Sequence, residues 1–500
     1  MQRSLFTLLL AASPALWAQD LLLRDAVALA LARSPDISLQ RSTQQAAEGV
    51  ARSSNAPFDL VQTAALGGTR DERPLRADER ARYLSAGPDQ LIDGSTTSLG
   101  ASRQFANGLQ LSGLYAVTRA DDNVQGAQNI PRQTSDRLTF TLRVPLQKNP
   151  GKDAAAARNA ATLDAAAAAR ETEQAVARTV LAVVQAYWDW AARQSAADVA
   201  AAAETRTRQL RRETEKLVEA DELPPADLNL LTAAVTEREA ARIGAEQRAR
   251  DGRFALARLY GMDAGETAAL APPAQRLPEH AGSDSMAALG AQALQRRADV
   301  AALRLREEAM DTRLKAARNS DKPALDLDVS AYYAGLREGA RTAAAAFDPT
   351  SRHSGPGIAA KLSLQWPVQN SANSGALQVA AANADSARLR RVTLEQSVTA
   401  SMESAYQAYN AYAAQLRASE LTIARYRAAL QDTSTRRQLG SATLIDVLNV
   451  EDRLNNALLA RLQFQQGYAT ARAQILYETG RLLRTGPDGT LSVALDELLP

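Results

Sequence analysis

Residues 398–430 read VTASMESAYQAYNAYAAQLRASELTIARYRAAL, and Val398, Met402, Ala405, Tyr409, Tyr412, Leu416, Ser419, Ile423, Tyr426 and Leu430 recur through them in alternating steps of four and three. That spacing is a heptad seam, the mark of a helix packed lengthwise against others. The seam lies in a run without proline or glycine from 376 to 439, and a second such run spans 152–219. In the second run Val176, Val180, Val183, Tyr187 and Trp190 take the same steps. At ~1.5 Å per residue each run predicts a helix of about 90–100 Å. Globular helices rarely pass ~20 residues, so helices of this length need partners along their whole run. Alanine-rich flanks let neighbouring backbones approach, and coiled-coil packing follows.

Outward from the seam, the chain repeats itself. Tyr187 matches Tyr406, Asp227 matches Asp446 and Gly261 matches Gly480, all at an offset of 219. Near the two starts, Asp36-Ile37 matches Asp299-Val300 at an offset of 263. A period this long indicates a duplicated domain rather than a solenoid. The two copies are divided by a proline-rich linker at 271–278, APPAQRLP.

Between the helices the period changes to two. In 137–146, RLTFTLRVPL, the residues Leu138, Phe140, Leu142, Val144 and Leu146 share one face, and Arg137, Thr139, Thr141 and Arg143 the other. The second copy does likewise: Ile358, Ala360, Leu362, Leu364 and Trp366 oppose Ala359, Lys361, Ser363 and Gln365, while Leu325, Leu327 and Val329 alternate with Asp326, Asp328 and Ser330. About ten residues of such alternation suit a membrane β-barrel strand with lipid on one side and water on the other. A soluble sandwich edge is the competing reading of the alternation alone. Residues 96–118 flank Asn107-Gly108, a tight-hairpin signal. That hairpin reads either as two further barrel strands or as an extracellular cap. The charged stretch 71–94 reads as an outer loop.

Composition excludes other classes. The 500 residues carry Lys+Arg 58 against Asp+Glu 56, a balance unlike that of a nucleic-acid binder. Zero cysteines exclude disulfides, thiolate catalysis and Cys-ligated zinc, and the two histidines, His280 and His353, sit in unrelated contexts. No metal or cofactor is expected. Residues 1–18 have the positive start, short apolar core and small final residue of an export signal. No P-loop, GxSxG, HExxH or dinucleotide turn is present, so no enzyme is expected; Asp326 and Asp328 read as solvated lining rather than a catalytic pair.

Residues 436–451, RRQLGSATLIDVLNVE, together with the passages RVPL at 143–146, QWPV at 365–368 and ILYETG at 475–480, resemble the TolC-like outer-membrane efflux protein family. The likeness covers nearly the whole chain beyond the export signal. It implies an α+β membrane protein: a trimeric β-barrel in the outer membrane continuing into a long coiled-coil α-barrel in the periplasm, built from two internal repeats per chain. The expected division is signal 1–18; N-terminal helices 19–57; first strands and outer loops 58–147; first helical hairpin 148–262; linker 263–285; second-copy helix 286–322; second strands 323–368; second hairpin 369–482; tail 483–500. The implied role is the passive exit duct of a tripartite export system. Its implied partners are two further copies of the chain, a periplasmic adaptor (membrane fusion protein), an inner-membrane pump of the RND, MFS or ABC type, and outer-membrane lipid. Small-molecule or drug efflux is the first expectation. Protein or peptide secretion by the same kind of duct is an alternative, and a non-membrane periplasmic coiled-coil scaffold is an alternative of another class.

The helical tips carry the candidate site. Thr443-Leu-Ile-Asp446 has capping-box form, so the Asp446 carboxylate is expected to stabilise a helix start. By resemblance, Asp446 also stands where an acidic ring narrows the periplasmic mouth. Where the family often has a second acidic residue there is Asn449, which makes the gate less acidic. Some relatives tie neighbouring helices with Tyr and Arg; here Arg437 and Ala442 stand instead, and Arg437 is expected to seek a carboxylate on the first tip. There, Asp221 replaces the turn glycine matching Gly440, in a left-handed or a wider turn, and Pro224-Pro225 lead to Asp227.

Overall fold

The computed structural model describes residues 21–84, 86–221, 223–278, 290–339, 354–485 and 491–498, so the export signal at 1–18, His280 and His353 lie outside the described residues. The elements in order are α1 (Leu23–Arg33), α2 (Pro35–Ser53), β1 (Val61–Pro74), α3 (Ala77–Arg82), β2 (Asp89–Gln104), β3 (Gln110–Asp122), α4 (Asn123–Ala127), β4 (Gln133–Pro145), α5 (Pro150–Glu219) and α6 (Pro225–Leu259). Then follow α7 (Ala264–Ala269), α8 (Gly290–Arg296), α9 (Ala298–Ser320), β5 (Ala324–Glu338), β6 (Ser354–Gln365), α10 (Ser371–Gln438), α11 (Leu444–Glu478), β7 (Leu483–Thr485), β8 (Leu491–Val493) and α12 (Leu495–Leu498). The fold is mixed α and β with very long helices. None of the described helices is long and apolar enough to cross a membrane. Contacts divide the chain into two compact units.

The first unit takes residues up to 45, 167–303 and 390–500. Here the heptad reading holds: Val398, Ala405, Tyr409, Leu416, Ser419 and Ile423 are buried, and Met402, Tyr412, Tyr426 and Leu430 are half-buried. In α5 the residues Val176, Val180, Val183, Tyr187 and Trp190 are buried, and so are their off-seam neighbours Val184, Trp188 and Ala191. Over this stretch α5 is therefore enclosed on several sides. Leu23, Ala26, Val27 and Ala30 of α1, Leu256 of α6, Leu476 of α11 and Leu482 complete the same core. The Tyr187 hydroxyl donates to the Leu21 carbonyl at 2.8 Å and accepts from the Gln275 amide at 3.2 Å, tying the start of the described chain to the linker strand.

α5 runs beside α11, as shown by Gln174 Nε2 to the Tyr477 hydroxyl at 2.8 Å and Gln466 Nε2 to Asp189 Oδ1 at 3.0 Å. On α10 and α11, the Tyr409 and Tyr468 hydroxyls are 3.0 Å apart in the core. The return helices α6 and α11 are 35 residues each and begin 219 positions apart. Gly261 and Gly480 both have left-handed φ (67° in each), and an added Cβ would meet Pro35, the first residue of α2, and Arg296, the last of α8, respectively.

The second unit takes 46–166 and 304–389. Its sheet is an antiparallel meander in the order β1-β2-β3-β4-β5-β6. The hairpin left open by the sequence is β2 and β3, and both belong to this sheet. The expectation of an outer loop over 71–94 is corrected: β1 runs to Pro74 and β2 begins at Asp89, with Arg70 opposite Asp93 and Arg73 opposite Gln90. Charges there hid the strand because alternation fades where both faces meet water. At the helix-bearing end Asp153 accepts from Asn319 Nδ2 at 2.7 Å and from the Ser320 hydroxyl at 2.6 Å, and Asn370 Nδ2 donates to Asp321 Oδ1 at 2.7 Å. These bonds satisfy strand-to-helix junctions that would otherwise leave backbone and side-chain groups unpaired.

Candidate functional site

The two helical tips use matched geometry with different residues. At the second, Gly440 ends α10 with φ +75°, the left-handed turn that glycine adopts without strain. Thr443 is the N-cap of α11: its hydroxyl accepts from the Asp446 amide at 3.2 Å, and its own amide donates to Asp446 Oδ2 at 2.9 Å. The Thr443 hydroxyl also donates to Asp446 Oδ2 at 2.7 Å. The capping box read from sequence is thus formed. These bonds, the hydroxyl's first and the amide's second, hold the Asp446 carboxyl below the usual aspartate range. Leu444 and Val447 are buried beneath it, while Asp446 and Asn449 are exposed together on the opposite side.

At the first tip Asp221 takes the left-handed conformation with φ +56°, where Gly440 stands in the other hairpin. Asp227 is the third residue of α6, matching Asp446, but its N-cap is Pro224, which makes no side-chain capping bond. The two tips touch through Arg437, whose Nη2 donates to the buried Thr214 hydroxyl at 2.8 Å. The expected carboxylate partner for Arg437 is therefore corrected to a hydroxyl. Thr214 is a buried residue of α5 itself, before the turn.

Behind the tips, the seam of α5 changes character. Its buried residues there are Glu204, Thr207 and Thr214, where elsewhere along the helix they are valines and aromatics. Arg206 binds the buried Glu451 at 3.0 Å and Asn455 Oδ1 at 2.7 Å, joining α5 to α11. Arg242 of α6 binds the buried Glu204 at 2.7 Å, and Arg238 pairs with Asp452. Sequence reading missed this network. Its signal was available: Glu451 falls in step with Leu444, Val447 and Leu454, a charge on an apolar stripe. Among the described residues no cluster of His, Asp or Glu is placed to hold a metal ion.

The sheet offers a second candidate surface. Register aligns Leu99, Tyr115, Leu138 and Tyr333 in one row, Leu111, Leu142, Val329 and Ala360 in another, and Val144, Leu327 and Leu362 in a third, all on one face. Leu66, Leu99, Phe140, Leu142, Ile358, Leu362 and Leu364 of this face are exposed in the chain by itself. The opposite face carries Gln110, Ser112, Thr141 and Ser330, with Arg143 bound to Asp328 at 2.7 Å and Lys361 beside them in register. Leu114 is an exposed apolar exception on that polar face. An apolar face of this extent is rare on a protein surface that meets only water.

Residues 289–481, which include the second tip, match the family model described as outer membrane efflux protein. No curated protein sequence matches. Among solved structures the chain is similar to VceC, an outer membrane protein of Vibrio cholerae, at 21% identity and TM-score 0.67 over 92% of this chain and 96% of that one. It is similar to a membrane protein of Pseudomonas aeruginosa at 18% identity and TM-score 0.66, covering 93% and 92%. It is also similar to the open state of the MtrE outer membrane channel of Neisseria gonorrhoeae, at 17% identity and TM-score 0.58, covering 92% and 88%. The second half of the chain thus matches the outer membrane efflux protein family over residues 289–481, and across 92% of its length the chain has the mixed fold of long helices and antiparallel strands seen in solved outer membrane channels.

Proposed function

We propose that this chain is the exit duct of a tripartite export system, passively conducting small molecules delivered by an inner-membrane pump and a periplasmic adaptor. The observation that carries the reading is the six-stranded sheet with one largely apolar face, interrupted at Arg103 beside Leu111, and one polar face. Tyr115 and Tyr333 stand in one row near the middle of the apolar face, and Trp366 and Phe105 lie at the helix-bearing end, where a barrel wall carries an aromatic girdle. Lipid tolerates no open sheet edge, so the sheet closes with other copies, and a trimer with cyclic symmetry puts the pore on its axis. The paired lengths of α6 and α11 and their offset support a duplicated chain whose two hairpins line the periplasmic part.

In this duct Asp446 forms the acidic ring at the mouth, with Asn449 one turn on, Arg437 joining the two tips, and Gly440 and Asp221 making the turns. Three carboxylates on one axis concentrate cations and repel anions. Their mutual repulsion raises the pKa, and the bonds from Thr443 act against it, holding the charge on the ring. Cation preference is therefore expected at neutral pH and is lost as the ring carboxyls protonate in acid. The same sign holds for stability. The cap contributes fully above the unfolded value and is lost as pH falls through the lower folded one. The test is the reversal potential across a salt gradient for wild type and Asp446→Ala. The variant is expected to move toward non-selectivity and to lose divalent-cation block. Unchanged potentials would remove Asp446 from the pore.

A further inference from the structure

We infer that β2 and β3 are full wall strands, and that three copies of the six-stranded sheet close edge to edge, β6 of one protomer on β1 of the next, into a barrel of eighteen strands. This rests on the trimeric duct proposed above, and goes beyond it in fixing the wall and the surface by which copies meet.

The turn between β2 and β3 is anchored at the helix-bearing end of the sheet. The Phe105 amide donates to the Leu109 carbonyl at 2.8 Å, and Gly108 has φ +94°. Asn149 Nδ2, beside the start of α5, donates to the Asn107 carbonyl at 2.9 Å, and Arg103 Nε donates to the Phe58 carbonyl at 3.2 Å. A Cβ added at Gly151 would stand 2.3 Å from the Gly108 Cα, so turn and helix start fit only as glycine on glycine. A hairpin whose tip is fixed there is no cap at the far end of the sheet. It runs the full height of the wall.

Length and face agree. β2 and β3 have 16 and 13 residues, against 13, 15 and 12 in β4, β5 and β6, and a tilted strand crosses the bilayer with ~9–11. Leu99, Leu111, Tyr115 and Val117 extend the apolar rows of β4 to β6, and Ala64 and Leu66 carry them onto β1. The apolar face thus reaches both edges of the sheet, with Thr97 between Leu66 and Val117 and with Arg103 and Gln62 toward its helix-bearing end. Among the described residues β1 and β6 are the two edge strands. In lipid their free backbone groups need partners, and another copy supplies a strand of matching length and facing. With strands ~4.8 Å apart and tilted ~40°, the closed wall has a backbone diameter of about 35 Å, in the range of barrels that enclose an aqueous channel. The wall is then wide, and the tips set the constriction.

The chain lacks cysteine, so pairs can be introduced cleanly. Thr63 on β1, Ser112 on β3 and Ala359 on β6 all fall on the polar face by register. The full chain in detergent or native outer membrane is treated with a bis-maleimide reaching about 10 Å, two inter-strand spacings. Thr63→Cys with Ala359→Cys is expected to give covalent trimers on a denaturing gel, and Ser112→Cys with Ala359→Cys none. The reverse result places β1 and β2 outside the wall and overturns the eighteen-strand barrel while the trimeric duct stands. Native mass of a trimer without either cross-link overturns it too. A monomeric native mass sinks the duct reading itself.

Discussion

Arg297→Met is expected to destabilise the helical unit by about 3–5 kcal/mol, because it strands a buried carboxylate. The Arg297 and Glu478 side chains are each 6% exposed and paired. The same guanidinium binds Asp299 at 2.7 and 3.0 Å and lies 5.2 Å from the centre of the Tyr477 ring. It thus joins the start of α9 to the end of α11. Gln474 Nε2, at 2.7 Å from Glu478 Oε1, remains in the variant but cannot replace a cation. Thermal unfolding of the purified chain followed by far-ultraviolet circular dichroism measures the loss. A second substitution, Glu478→Gln, removes the stranded charge and is expected to recover much of it. If the single and double variants melt alike, the pair is not what fastens this junction.

Leu142→Arg is expected to cost about 2–4 kcal/mol and to reduce the folded protein in the outer membrane sharply, as a charge placed on the lipid face of a barrel near mid-membrane does. Thr141→Arg, one residue away, is expected to assemble normally. The contrast comes from the sheet: Leu142 lies in the apolar row with Leu111 and Val329, while Thr141 lies with Ser112 and Ser330. Overpacking affects both positions, so only a difference between faces carries the membrane reading. Heat-modifiable mobility on gels and the amount of protein extracted from outer membranes report it. Equal tolerance at 141 and 142 would return the sheet to water.

How legible was this in the sequence? The long helices were, because a heptad stripe such as Val398 to Leu430 is a local pattern that packing only has to obey. The cap at Thr443 and Asp446 was too, since its partners are three residues apart. Strand centres such as 137–146 were read from alternation, but their extents were not. Beyond the apolar band both faces of β1 and β2 carry charges, so Asp71 and Asp93 look like loop residues until the ladder pairs them with Ile92 and Arg70. Contacts between distant segments were least legible. Arg437 was expected to find an acid and found Thr214, because which seam residue faces it depends on the rotation of α5, a tertiary quantity. Arg206 with Glu451 was missed for the same reason, although a glutamate in the stripe of α11 already asked for a cation.

The most direct test of the central claim is the conductance of the purified protein in a planar lipid bilayer. A duct of this design inserts from detergent and gives discrete, cation-preferring steps, small while the tips are closed and larger when the bonds of Arg437 and Arg206 between the hairpins are removed. A protein that stays in solution without detergent and never conducts, with or without those bonds, would contradict the channel and favour a periplasmic scaffold.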